Sequence, residues 1–181
     1  MSSVTLWRIA ADAPEYSSDS LTGKGAEITG GRWNRKGTPL MYLSSSISLA
    51  CLETLVHLSG GIALPLNRHL IRVEIAADLW TQRTVFDETA NIGWDSEPAG
   101  VVSLDWGTKW AQAKTALLAN VPSVIVPEER NILLNPAHPD SQLVTSKKVR
   151  RWLYDIRLIG SDRRPAETSR PIPKTSPRRK K

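Results

Sequence analysis

Short strands mixed with only two helices limit what this chain can fold into. Residues 69–76 give the clearest pattern, because Ile71, Val73 and Ile75 alternate with polar side chains, as in a strand with one buried face. The other predicted elements are strands at 4–9, 39–44, 123–126 and 149–158, a strand or extended loop at 131–136, and helices at 46–58 and 105–119. Strands and helices do not alternate regularly, which argues against a doubly wound sheet. We therefore expect one mixed α/β (α+β) domain.

The two predicted helices and the last strand each have an apolar face. Ser45 or Ser46 can cap the first helix, and Glu53 lies beside its apolar stripe. The residues predicted to form these faces are Leu49, Leu52 and Val56 in the first helix, Trp106, Trp110, Ala113 and Leu117 in the second, and Trp152, Tyr154, Ile156 and Leu158 in the strand.

The excess positive charge is confined to the end of the chain. The chain has 24 basic and 18 acidic residues, a net charge of +6. Residues 161–181 contain eight of the basic and two of the acidic residues, four of the twelve prolines and almost nothing apolar. Such a segment cannot bury enough surface to offset the entropy lost on ordering it. We expect a neutral domain at 1–160 and a disordered, flexible basic tail at 161–181.

Several classes of protein are excluded by what the sequence lacks. No apolar run approaches the roughly 20 residues that a membrane-spanning helix needs, and the N-terminus does not resemble a secretory signal. The single cysteine, Cys51, excludes an internal disulfide and a cysteine-built zinc site. His57, His69 and His138 lie far apart with no carboxylate pattern around them. We expect a soluble, cytoplasmic protein without a bound metal or a membrane partner.

A glycine-rich segment at 16–38 is predicted to be a long loop, and loops of this length are usually functional or disordered. It contains the run Gly30-Gly31-Arg32-Trp33-Asn34. The glycines let the backbone approach a ligand closely, Arg32 offers donors suited to a phosphate, and Trp33 offers a stacking face. The alternative is an ordinary turn in which Arg32 is solvated and Trp33 belongs to the core.

Three further polar residues occur in apolar surroundings. Glu53 borders the apolar stripe of its helix, where a carboxylate has a desolvation cost that suggests a partner or a catalytic task. Tyr42 lies on an apolar strand, where a core tyrosine with a satisfied hydroxyl group is the simpler interpretation. Ser123 follows Pro122 and is a weak signal by itself.

In their order along the chain, these segments resemble the RES domain family, which is named after an Arg, a Glu and a Ser. The three letters would fall on Arg32, Glu53 and Ser123. The segments that carry the resemblance are Trp7-Arg8, Gly31-Arg32-Trp33-Asn34, Tyr42-Leu43-Ser44, Ala50-Cys51-Leu52-Glu53, Val121-Pro122-Ser123, the late loop at 131–136 and the strand at 154–158. They span nearly all of the predicted domain at 1–160.

The resemblance implies a toxin of a bacterial type II toxin–antitoxin pair, with a fold similar to that of ADP-ribosyltransferase toxins. NAD would be its substrate and not a resident cofactor. The toxin would cleave the nicotinamide–ribose bond and deplete cellular NAD, which causes growth arrest. An Xre-type helix-turn-helix antitoxin would cover the cleft, the toxin would form a homodimer within the complex, and DNA would be contacted only through the antitoxin.

Roles for individual residues follow from the resemblance and from the chemistry of NAD. Arg32 would bind the phosphates or the ribose with help from Arg8, while Glu53 would bind the ribose hydroxyls and stabilise the developing cation. Tyr42 would stack on or orient the nicotinamide, and Ser123 would position its amide or the ribose. The predicted catalytic set is Arg32, Tyr42, Glu53 and Ser123, and the predicted NAD-binding set is Arg8, Gly31, Arg32, Trp33, Asn34, Tyr42 and Ser123.

Two alternatives stay open at this point. ADP-ribose transfer to a host protein has the same first step, so the residues do not separate water, phosphate and protein as acceptors. Nucleic-acid binding through the basic tail would be the function of a non-enzymatic module. Trp94 and Trp106 would give exposed aromatic surface for a partner if they are not buried in the core.

Overall fold

The computed structural model describes residues 2–58 and 64–159, and the predicted tail at 161–181 lies outside them. The strands are β1 (Ser3–Ala11), β2 (Met41–Ser44), β3 (Arg68–Ala76), β4 (Thr84–Val85), β5 (Leu118–Pro122), β6 (Arg130–Leu134) and β7 (Thr145–Trp152). The α-helices are α1 (Lys24–Thr29), α2 (Ile47–Leu55), α3 (Ala77–Thr81) and α4 (Val101–Ala113). Short 3₁₀ helices cover Val56–Leu58, Pro139–Leu143 and Ile156–Ile159. Within the described ranges, no helix combines the length and the apolar character needed to cross a bilayer.

The strands form one sheet in the order β4-β5-β6-β2-β1-β3-β7. Neighbouring strands are antiparallel except β4 and β5, which are parallel. Helices are placed between strands without a repeating strand–helix–strand unit. This arrangement confirms the predicted mixed α/β class.

The sheet is buried on both faces, because successive residues of a strand point to opposite sides. In β6, Ile132 and Leu134 pack into one core cluster, whereas Leu133 packs into a second cluster on the other face. The three alternating apolar residues predicted at 69–76 are completely buried in the first cluster. The second cluster is aromatic and lies beside the cleft described below.

Helix α2 packs with a different side than the sequence suggested. Its buried residues are Leu49 and Ala50, whereas Leu52 and Val56 are exposed. The predicted stripe was therefore wrong at two of its three positions. The helix is rotated so that its Leu49-Ala50 side lies against β1 and β2, and this leaves the adjacent side free to form a wall of the cleft.

The second predicted helix was misplaced along the chain. It begins at Val101 and ends at Ala113, because Lys114 adopts a left-handed backbone conformation with φ of 51°. Ala113 is exposed, and Leu117 comes after the helix. Residues 118–122 instead pair with β6, so the cross-strand hydrogen bonds outweigh the helical pattern.

Three other boundaries differ from the sequence predictions. The strand predicted at 123–126 is a turn, since the Ser123 hydroxyl accepts two backbone N–H groups that a ladder would need. The predicted loop at 16–38 contains α1. The last strand begins earlier than predicted and ends at Trp152, before a 3₁₀ helix.

Candidate active site

A cleft of about 910 Å³ opens where β2 ends and β6 begins. Its walls come from β1, β2, α2, the segment that precedes β2, and the loop that follows β5. Asn34 and Ser123 are completely buried and do not line it. The predicted site residues that do line the cleft are Arg8, Gly31, Arg32, Trp33, Tyr42 and Glu53.

Helix α2 brings Glu53 into the cleft. The Oε1 atom of Glu53 accepts a hydrogen bond from Ser123 Oγ at 2.8 Å and another from Asn131 Nδ2. Within the described residues, no group donates to its other oxygen, Oε2. A carboxylate held at one oxygen and unbonded at the other can accept hydroxyl groups of a ligand or stabilise a positive charge.

Ser123 lies behind Glu53. Its side chain has no access to solvent, and its Oγ accepts the N–H groups of Ile125 and Val126, each at 3.1 Å. The hydroxyl proton is donated to Glu53. In the structure Ser123 therefore contacts Glu53 and does not face the open cleft, and its contact with nicotinamide or ribose stays a prediction.

The guanidinium group of Arg32 is bonded to the loop that precedes α4. Its Nη1 donates to the carbonyl groups of Trp94 and Ser96 at 3.3 and 2.8 Å, and its Nη2 forms an ion pair with Glu97 at 2.7 Å. Glu97 is largely exposed and lines the cleft. Arg32 thus holds one wall of the cleft, and an anion bound there would compete with Glu97 for it.

Gly31, Tyr42 and Asn34 fix the shape of the segment before β2. The Tyr42 hydroxyl accepts the N–H of Trp33 at 2.9 Å and donates to Asn34 Oδ1 at 2.7 Å, while Asn34 Nδ2 donates to backbone carbonyls. A Cβ atom at position 31 would lie 2.6 Å from that hydroxyl, so a larger residue there would displace the Tyr42 side chain. Burial raises the pKa of Tyr42, and the phenol stays protonated at physiological pH.

The ring of Trp33 belongs to the core. It is 2 % exposed, stacks on Trp94 and meets the rings of Phe86 and Trp106 edge-on. The predicted stacking face of Trp33 is therefore occupied by other side chains. The sequence left the burial of Trp94 and Trp106 open; in the structure Trp94 is buried, and Trp106 is partly buried and packs against the same cluster.

Arg8 is a cation in the cleft whose guanidinium group forms no hydrogen bond or ion pair with the described residues. Burial lowers the pKa of Arg8 to about 10, so the group is still charged at neutral pH. The Arg8 side chain is partly buried, and a partly desolvated charge without a counter-ion lowers the stability of a folded protein. A bound anion would offset this cost.

Comparison with known proteins identifies the family. The model of the RES domain family matches residues 5–157. The chain belongs to the RES domain family. The resemblance found in the order of the sequence segments is thereby confirmed, and the match covers nearly all of the described residues.

Individual relatives of this RES domain are named as toxins. One is the "Prs ADP-ribosylating toxin" of Sphingobium sp. (strain YBL2), which is 52% identical over 156 residues, 86% of this chain and 96% of that protein. A "Toxin Res" of Yersinia enterocolitica is 40% identical over 79% of this chain and 93% of its own length. A "Toxin Res" of Pseudomonas putida is 36% identical over 76% of this chain and 88% of its own length.

Several polar residues that the sequence analysis did not assign to the site also line the cleft of this RES domain. Ser44, Glu97 and Asn131 are among them. Asn131 directly precedes three apolar residues of β6. This polar residue next to an apolar strand is the sequence signal by which it could have been identified. Ser44 and Glu97 have no comparable signal in the sequence.

Asp12 fastens the segment at 12–20, which forms one side of the cleft. Its carboxylate accepts the N–H of Ser18 at 2.7 Å and a bond from Lys148 Nζ at 3.0 Å. These bonds, that of Ser18 above all, lower the pKa of Asp12 from 3.8 to about 2. The stability they supply is complete above pH 3.8 and is lost as the pH falls through about 2.

Asp12→Asn is therefore expected to lower the melting temperature by about 2–4 °C at neutral pH. The difference from the wild type should shrink as the pH falls towards about 2, where the wild-type carboxylate is itself protonated. Thermal unfolding of both proteins at several pH values measures it. A difference that stays constant down to the lowest pH would show that the charge of Asp12 does not fasten the segment.

Proposed function

We propose that this RES domain is a toxin that binds NAD in the cleft, breaks the bond between nicotinamide and ribose, and transfers ADP-ribose to a protein. The observation that carries the proposal is that Glu53, with its unbonded Oε2, and Arg8, without a counter-ion, line the same cleft. NAD offers a diphosphate for the arginine and a ribose attached to a cationic ring for the carboxylate.

The bond cleavage leaves positive charge on the ribose. The bonding electron pair goes to the ring nitrogen, and nicotinamide leaves as a neutral molecule, so the step needs no strong general acid. The anomeric carbon becomes oxocarbenium-like, as in glycoside cleavage. Glu53 Oε2 would bind the ribose hydroxyls and stabilise this charge, after which the nucleophile of the acceptor bonds to the carbon and loses its proton.

The diphosphate would be bound by arginine. Arg8 need not break a hydrogen bond or an ion pair to do so, since its guanidinium group forms none with the described residues. Arg32 would join it by exchanging the carboxylate of Glu97 for a phosphate oxygen. Tyr42 and Gly31, which line the cleft beside Arg32, would orient the nicotinamide end.

A protein acceptor is favoured by the relative that is named for ADP-ribosylation of Prs, because its identity of 52% spans 86% of this chain. Water or phosphate would use the same first step. With either of these acceptors the toxin would deplete NAD and cause growth arrest without modifying a protein.

An antitoxin is part of the same proposal, because an enzyme that consumes NAD needs an inhibitor in the cell that makes it. An Xre-type helix-turn-helix antitoxin that covers the cleft would meet the exposed side chain of Val56, which lines the cleft one residue after α2. We expect the toxin to pair with itself in this complex and to contact DNA only through the antitoxin.

The acceptor is tested with NAD labelled in the adenylate phosphate, incubated with the purified chain with and without purified Prs. We expect the label on Prs, with one nicotinamide released for each label. Free ADP-ribose and no labelled protein would assign hydrolysis, and phosphorylated ADP-ribose formed only in phosphate buffer would assign phosphorolysis. If no nicotinamide is released under any of these conditions, the proposed reaction is rejected.

Arg8→Met is expected to raise KM for NAD about 10- to 100-fold, since a hydrogen bond to a charged group contributes about 1.5–3 kcal/mol. The melting temperature should stay the same or rise, because the variant removes a partly buried, unpaired charge. The matched control is Arg72→Met, which removes an exposed arginine of β3 outside the cleft. An unchanged KM, or a clear loss of stability in Arg8→Met, would mean that Arg8 is structural.

A further inference from the structure

Ser44 and Asn131 are brought together by the register of the sheet. Ser44 is the last residue of β2, and it lies directly opposite Asn131 near the start of β6. Side chains of directly opposed residues share a face of the sheet, with Cβ atoms about 4.5–5.5 Å apart. The Ser44 hydroxyl accordingly donates to Asn131 Oδ1 at 2.9 Å.

The other end of the same amide contacts Glu53. Asn131 Nδ2 donates to Glu53 Oε1, the oxygen that also accepts from Ser123. A carboxylate oxygen can only accept, so the NH₂ end of the amide must face it and the carbonyl end must face away. The hydroxyl of Ser44 stabilises this orientation, because it donates to the carbonyl end.

We infer that Ser44 and Asn131 form a positioning relay for Glu53, an inference that rests on the proposed function of Glu53. The relay and Ser123 occupy Oε1 from two sides, so rotation of the carboxylate is restricted and Oε2 is the oxygen left for the substrate. Three neighbouring strands supply these groups at one edge of the sheet: β2 ends at Ser44, β6 carries Asn131 near its start, and β5 ends just before Ser123.

The relay should affect the chemical step more than binding. Displacing a catalytic group by about 1 Å can lower the rate about 100-fold. We therefore expect Asn131→Ala to lower kcat for nicotinamide release about 30- to 100-fold, with KM for NAD within about threefold of the wild type. Ser44→Ala, which leaves the amide in place but removes the donor to its carbonyl end, should lower kcat about tenfold, and Ser44→Thr should restore most of it because it keeps the hydroxyl.

The double variant tests whether the two residues act in series. If Ser44 acts only through Asn131, Ser44→Ala adds less than about twofold to the loss in Asn131→Ala. The matched control is Asn135→Ala, one residue after β6, whose amide bonds to the backbone of Ala111 and Ala137 and to no other described residue. It should lower the melting temperature and leave kcat unchanged.

Several results would overturn the relay. The first is a wild-type kcat in Asn131→Ala. The second is a rise in KM without a fall in kcat in that variant, which would mean that Asn131 contacts the substrate directly. The third is fully additive effects of the two substitutions in the double variant. If Asn131→Ala does not fold, the comparison of Ser44→Ala with Ser44→Thr provides the same test.

A measurement without turnover separates the relay from the proposed function. The ¹³C signal of the Glu53 carboxyl, assigned with Glu53→Gln in the full chain, should move in both Ser44→Ala and Asn131→Ala but not in Asn135→Ala. If the wild type releases no nicotinamide, the proposed function has failed, and this signal still decides whether the relay holds the carboxylate. A signal that neither variant moves would refute the relay.

Discussion

Glu53→Gln is expected to lower kcat for nicotinamide release at least about a thousandfold, which corresponds to about 4 kcal/mol in the barrier. The substitution keeps the size and shape of the side chain and removes its charge. Ser123 can still donate to the carbonyl oxygen of the new amide, so the local structure should survive. What is lost is the negative charge beside the carbon that becomes oxocarbenium-like.

The control for this variant is Glu74→Gln. Glu74 is also a partly buried glutamate that accepts serine and threonine hydroxyls, from Ser3 and Thr5, but it does not line the cleft. Its replacement should leave kcat within about twofold. Circular dichroism and melting temperature show whether each variant is folded. A folded Glu53→Gln with wild-type turnover would remove Glu53 from the mechanism.

Gly107→Ala is expected to destabilise the protein by at least about 3 kcal/mol and to abolish activity where the variant is unfolded. A Cβ atom at position 107 of α4 would lie 2.0 Å from the carbonyl oxygen of Trp33 and 2.8 Å from its carbonyl carbon. Both atoms are backbone and cannot move aside as a flexible side chain would. Helix α4 and the segment that forms the cleft wall are therefore in direct backbone contact, and a side chain would force them apart.

The sign of this effect is informative, because an alanine in a helix is ordinarily about 1 kcal/mol more stable than a glycine. Gln112→Ala, at an exposed position of the same helix, is the control and should change the free energy of unfolding by less than about 0.5 kcal/mol. Urea denaturation of the two variants gives both values. A Gly107→Ala protein as stable as the wild type would show that the two segments are not tightly packed.

The fold class and most strands could be predicted because their signals are local. The period of two at 69–76 is visible within eight residues, and the structure buries the residues that it marks. The face of α2 could not be predicted in the same way, since Leu49, Leu52 and Val56 are equally apolar in the sequence. Which of them is buried depends on how the helix lies on β1 and β2.

The residues of the candidate site could be predicted in part from the sequence, but the contacts among them could not. The glycine-rich segment, Glu53 and Arg8 were recognised from their chemistry and from the order of the motifs. Ser123 and Asn131 bond to Glu53 from 70 and 78 residues away, so their contacts follow from strand order and register. No local sequence pattern predicts such contacts. The burial of Trp33 among other aromatic rings likewise depends on residues that are distant in the sequence.

The most direct test of the central claim is the release of free nicotinamide from NAD by the purified full-length chain, measured over time beside Glu53→Gln and Arg8→Met, with Prs present. The account predicts steady release by the wild type, almost none by Glu53→Gln at any NAD concentration, and recovery of Arg8→Met towards the wild-type rate as NAD is raised. A folded wild-type protein that releases no nicotinamide, or a Glu53→Gln variant that releases it at the wild-type rate, would contradict the account.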